Sequence, residues 1–224
     1  IGAVTHQILK DRFTKDEADW INSVPEAVLK RRIKSAYSPT TNVAGMVKTK
    51  TGIYIPEKVQ IWHEGWVEFY KKFGITIDLS DYPIPSHIVF EEGQDYWSII
   101  TPPGMNPQSS FDIRKQITQT YECTEVKKII DVFPRVPVSV VKANQNAKVE
   151  HPGLSCNKSI EQGLWGTTFT EGMVLDGRVY DELKIHLDEY GWTMHNGSRS
   201  CVGDVVFSYW DSYGKLDVRD SSLG

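Results

Sequence analysis

Asp112, followed by Glu125-Val126-Lys127, copies the D…E-x-K order of a divalent-metal nuclease. In such a site two carboxylates at the ends of neighbouring strands hold a Mg²⁺, and the lysine stabilises developing charge or the attacking water. Against this reading, Thr120 to Thr124 are more polar than a buried central strand should be. Short strings of this kind also arise by chance in a chain with 29 acidic and 25 basic residues. His186-Leu187-Asp188 with His195 supplies the residue types of a two-histidine, one-carboxylate iron centre. All three fall at one helix end and its following turn, rather than on the separated strands such a centre uses. His63-Glu64 lacks the second histidine of H-E-x-x-H, and no glycine-rich phosphate loop is present. Cys156 follows His151 and Cys201 follows His195, with no context that separates them from inert buried thiols.

Aromatic residues make up 11% of the chain and include seven Trp and ten Tyr. Their N–H and O–H groups need partners or a route to the surface. Trp97, Trp165, Trp192 and Trp210 are therefore the candidates for a surface that stacks on a small molecule or a carbohydrate.

The elements that must position these residues begin with helices. Thr14 to Glu17 and Ser23 to Glu26 both match the S/T-x-x-E capping box, and Pro25 falls where a helix tolerates it. Leu29, Ile33, Ala36 and Tyr37 form an apolar stripe opposite the basic run Lys30 to Lys34, which reads as a solvated face. Pro56 to Phe73 predicts one amphipathic helix with Val59, Trp62, Trp66, Phe69, Tyr70 and Phe73 on its buried side, closed by Gly74. Short strands are predicted at Ile75 to Ile77, His87 to Phe90, Tyr96 to Ile100 and Val136 to Val141, broken by Pro and Gly. A helix over Thr167 to Tyr190, weakened by Gly172 and Gly177, then leads to a hairpin of Val202 to Tyr209 and Lys215 to Arg219 around Gly214.

With 224 residues, 40% hydrophobic and 24% charged, the chain can bury a core and reads as one domain, with a subdomain boundary placed near 144–153. A net charge of -4 gives no global field for nucleic acid or anionic lipid. Three scattered cysteines fit a reducing, cytoplasmic setting. No apolar run is long enough to span a membrane, and Lys10, Asp11 and Arg12 interrupt the region where a secretory signal would be apolar. The absence of a starting Met leaves open whether residues precede Ile1.

Phe169 to Gly172, His186 to Asp188, Trp192-Thr193, Gly197 to Arg199 and the hairpin Val205 to Val218 resemble the C-terminal block of a group of uncharacterised hypothetical proteins of candidate-phylum bacteria. Ile61 to Trp66 and Phe73 to Asp78 are similar to the middle of the same proteins. The resemblance implies no activity. It does imply that His186, Asp188, Gly197 and Arg199 are structural features of a helix-to-hairpin junction.

The expected architecture is α+β: N-terminal helices packed on a small, mostly antiparallel sheet, with a further helix and a C-terminal hairpin. The favoured function is a non-catalytic interaction or structural protein, an assembly subunit of viral or mobile-element kind, that meets a protein partner or itself and needs no cofactor. The alternatives are the Mg²⁺-dependent nuclease and the tryptophan-based binder.

Overall fold

The computed structural model describes residues 45–49, 52–118, 126–133, 136–145, 156–162, 166–189, 191–211 and 213–221. The helices expected near Thr14 and Ser23, the basic run at 30–34 and most of the proposed boundary at 144–153 lie outside the described residues. The rest is α+β, with every described strand pair antiparallel. Strands β1 (Met46–Lys48) and β2 (Tyr54–Pro56) pair as a short ribbon and lead into helices α1 (Glu57–Glu64) and α2 (Trp66–Lys71). Then follow β3 (Tyr96–Ile100), α3 (Pro107–Ile117), β4 (Ile130–Asp131), β5 (Val138–Lys142), α4 (Cys156–Glu161) and α5 (Phe169–Leu183). Three strands close the described chain: β6 (Thr193–Arg199), β7 (Val205–Trp210) and β8 (Leu216–Ser221). β3 pairs with β5, and a separate four-stranded sheet runs in the order β4-β6-β7-β8.

The aromatic helix forms where its stripe predicts, but as two segments divided at Gly65. A Cβ at Gly65 would overlap Arg178 Nη2, so the glycine lets the guanidinium approach the helix here. Trp62, Trp66, Phe69 and Tyr70 bury their rings against Ile99 and Ile100 of β3 and Val174 and Val179 of α5. A second core joins Phe111 of α3 and Phe169 and Met173 of α5 to Val206, Trp210, Leu216 and Val218 of the C-terminal sheet. α5 thus stands between two cores, and from Phe169 to Val179 nearly every residue is buried.

Four expectations change. Ile75 to Ile77 and His87 to Phe90 form no strand. Asp78 accepts the Ser80 N–H at 2.9 Å and starts a short 3-10 turn, while Pro83 and Pro85 cannot donate to a ladder. Pro107 to Ile117 is a helix within a region read as strands; Asn106 and Ser109 cap it reciprocally and Pro107 sits in its first turn. α5 stops at Leu183 rather than near Gly191, with Lys184 left-handed at φ 57°. Thr193 to Arg199 is a full strand, although Asn196 and Gly197 disfavour one. Its register shifts between His195 and Arg199, where a Cβ on Gly197 would overlap Phe133 and Thr168.

Candidate functional site

The chemistry-bearing side chains fall into three groups, and the first is internal. Trp62 and Trp66 both donate their indole N–H to the carbonyl of Ser98, at 2.9 and 2.8 Å, and Tyr70 donates its hydroxyl to the carbonyl of Ile100 at 2.6 Å. Between the two tryptophans, His63 donates from Nε2 to the Tyr82 carbonyl at 2.9 Å. Its Nδ1 is then the lone-pair side, which accepts the Ser98 hydroxyl at 3.0 Å. Burial lowers the His63 pKa; the Tyr82 contact opposes this, Arg178 adds to it and Glu64 opposes it. Arg178 is buried with its guanidinium carbon 4.1 Å from the Trp62 ring centre and 4.5 Å from that of Trp66. Its Nη2 reaches Glu182 at 3.2 Å, and burial pushes its pKa down to about 10. Each residue of Trp62-His-Glu-Gly-Trp66 other than Glu64 therefore has a packing role.

A second serine–histidine contact lies under the C-terminal sheet. His195 on β6 faces Ser208 on β7, Nε2 to Oγ 2.9 Å, and is fully enclosed between α5 and the sheet. Burial pushes its pKa down to about 3, and the Thr168 backbone offsets only part of that. A Cβ at Gly172 would overlap this ring, so the glycine that weakens the helix in isolation is what lets α5 approach β6. Both serine–histidine contacts resemble a nucleophile with its base, but Ser98 and Ser208 are buried along with their histidines. On the same side of the sheet, Asp131 accepts the Ser198 hydroxyl at 2.6 Å and the Thr170 hydroxyl, while Ser198 Oγ accepts the Phe169 N–H at 2.7 Å.

The third group joins α3, α5 and the turn that follows α5. Arg114, completely buried, pairs through Nε with Asp176 Oδ2, and Asp176 Oδ1 accepts the Leu187 N–H at 3.0 Å. His186 stacks between Tyr180 and Trp210, with ring centres 4.2 and 3.5 Å away.

The outer face of the C-terminal sheet is different in kind. Register places Met194, Phe207 and Arg219 side by side there, with Tyr209 opposite Asp217. Trp192, 56% exposed, stacks on Phe207 with centroids 5.0 Å apart and planes 15° apart, and lies 6.0 Å from Tyr209. Arg219 sits over Tyr209, and Asp217 receives both the Tyr209 hydroxyl at 2.7 Å and Arg219 Nε at 2.9 Å. Ile130, Val132 and Val202 are exposed at the β4 side of the same sheet.

The residues singled out in the sequence are scattered over these regions. Asp112 stands on the exposed face of α3, where it accepts from Gln108 at 2.9 Å, and not at the end of a strand as the nuclease reading requires. Lys127 is exposed in a 3-10 turn, and Glu125 lies outside the described residues. His186, Asp188 and His195 do not converge: His195 is inside the sheet and Asp188 is held by its backbone N–H to the Gln145 carbonyl at 2.9 Å. Among the described residues no three His, Cys, Asp or Glu side chains come together in a way that could hold a metal ion. Cys201 is exposed in the β6–β7 turn, away from the enclosed His195. Trp97 packs half-buried on Trp62 at 5.5 Å, Trp210 is buried beneath His186, and Trp165 lies outside the described residues. Of the named tryptophans that are described, Trp192 alone presents an open ring.

The chain matches no protein-family model, no curated protein and no solved structure. Sequence reasoning missed Arg114, Asp176 and Arg178, and no local pattern marks them, because their partners lie far along the chain. For α5 a signal did exist: Thr168 and Glu171 form the capping box that sets its start. No helix among the described residues is long and apolar enough to cross a membrane.

Proposed function

We propose that the chain acts by binding, as an interaction or assembly subunit whose contact surface is the outer face of the C-terminal sheet and whose simplest partner is a second copy of itself. The observation that carries this is Trp192, a large ring more than half exposed on top of Phe207 and Tyr209. An open, pre-stacked tryptophan offers large contact area with little ordering cost, which is why such rings anchor interfaces. A face that is the same on both copies can close on itself about a twofold axis. The buried histidines and arginines, by contrast, are all engaged in holding elements together.

The test is solution mass at a low and a high concentration for the wild type and Trp192→Glu. A mass that rises with concentration to that of a dimer, and stays monomeric in the variant, supports the reading. A monomer at both concentrations for both chains overturns self-association. The Asp217–Arg219 pair beside the stack favours a second reading, a small polar ligand such as a sugar. In that case Trp192 emission in the monomer responds to added saccharides and the Glu variant does not respond.

A further inference from the structure

We propose that the 184–189 turn is a proton-operated strap, closed over α3 and α5 while His186 is neutral and released when His186 takes up a proton. The device is independent of what binds the sheet face. Besides the packing of Ile185 and Leu187 on the core, three polar or ring attachments hold the turn: the Leu187 N–H on Asp176 Oδ1 at 3.0 Å, the Asp188 N–H on the Gln145 carbonyl at 2.9 Å, and the His186 ring between Tyr180 and Trp210. The Tyr180 ring is parallel to the imidazole within 3° and that of Trp210 within 26°.

His186 Nδ1 faces Arg114 Nη2 at 3.4 Å. A guanidinium only donates, so Nδ1 is the lone-pair side and the ring proton sits on Nε2. A second proton has to go onto Nδ1, where it points a donor at a donor and a cation at a cation. Asp176 attracts that charge, but its oxygens are engaged by Arg114 Nε and the Leu187 N–H, so it gives a proton on Nδ1 no free acceptor. The charged groups facing the ring are Asp176 from α5, Arg114 from α3 and Glu189 from the turn itself. Burial lowers the His186 pKa; Asp176 opposes this, Arg114 adds to it and Glu189 opposes it.

A separate observation favours opening. In the closed arrangement Arg114 Nη1 and Trp210 Nε1 are buried without a hydrogen-bond partner, an arrangement that costs free energy until water reaches them. Releasing the strap uncovers the cluster to which both belong. The sign of the linkage follows: the histidine's closed-state affinity for protons is below that of the open turn, so closure is at full strength above pH ~6.5 and weakens as pH falls below it. One proton allows at most about tenfold change in the opening equilibrium per pH unit.

Amide hydrogen exchange on the full chain, expressed as protection factors between pH 7.5 and pH 5, tests this. Below pH 6.5 Leu187 is expected to lose protection, by at most about tenfold per pH unit, and to lose more than it does in His186→Phe, while Val206, which follows the global loss set by His195, responds equally in both chains. In His186→Phe, which keeps a flat ring in the slot but cannot take a proton, Leu187 protection is expected to lose its local pH response and to follow only the global loss that Val206 reports. His186→Gln, which removes the ring, is expected to weaken protection by the same factor at every pH. A Leu187 response to pH that is the same in the wild type and in His186→Phe overturns the strap.

Discussion

The α1–α2 unit on β3 and the C-terminal sheet both rely on tryptophan, and they use it in opposite ways. Trp62 and Trp66 are enclosed because both indole N–H groups end on one backbone carbonyl, at Ser98, and both ring faces receive Arg178. Trp192 has its ring stacked on Phe207 yet remains more than half exposed. At Trp62 and Trp66 a backbone acceptor within reach accompanies enclosure, whereas Trp210 is enclosed without one, so burial of its ring rests on the stacking with His186 instead.

The largest effect expected from breaking this comparison is at Trp66. Trp66→Ala should lose about 3–5 kcal/mol of unfolding free energy in a urea titration, since it empties a fully buried site and strips Arg178 of one supporting face. A loss below 1 kcal/mol would mean that the indole is not the clamp described. Next come the two close approaches: Gly65→Ala and Gly172→Ala should each cost about 1–3 kcal/mol, because the added carbon overlaps Arg178 in one case and His195 in the other. Gly203→Ala, at a turn with no atom within 4 Å of the added carbon but φ of +89°, is the control that separates overlap from backbone strain.

Acid should reveal the buried histidine beneath the sheet. His195 is pushed down to about 3 when folded, whereas it takes up a proton near pH 6.5 when unfolded. Its contribution is intact above pH ~6.5 and is lost progressively as pH falls toward 3, at about 1.4 kcal/mol per pH unit. His63, also lowered by burial, steepens the slope. Unfolding free energies at pH 7.5 and 5 measure this, and a flat profile in the wild type would sink the assignment of neutral, enclosed rings. The smallest stability effect is expected at the contact face: Trp192→Ala should stay within about 1 kcal/mol of wild type while reducing any concentration-dependent mass.

How much of this was legible in the sequence depends on how far each residue's partner lies from it. The Pro56 to Phe73 stripe was readable because a helix repeats its buried face every three or four residues, and the structure differs in starting at Glu57, breaking at Gly65 and ending at Lys71. The hairpin around Gly214 was readable from its turn, where φ is +71°. α3 was hidden because its cap is Asn106 with Ser109 rather than the commoner threonine and glutamate, in a stretch crowded with prolines. The Arg114–Asp176 pair spans 62 positions, and periodicity carries no information over that distance. Asp112 and Lys127 looked catalytic because the string matched, yet Asp112 points outward from a helix.

The Ser98 carbonyl that receives two indoles has a further consequence for solubility. Asp95 O and Thr101 N face β5, so the even-numbered carbonyls of β3 turn the other way, toward the strand's outer edge. There Ser98 is taken by Trp62 and Trp66, and Ile100 by Tyr70. An unpaired strand edge is a template onto which another chain can add its own strand. Side-chain donors already occupy the Ser98 and Ile100 carbonyls, and α1 packs along the strand, so this edge of β3 leaves a foreign strand neither of those acceptors.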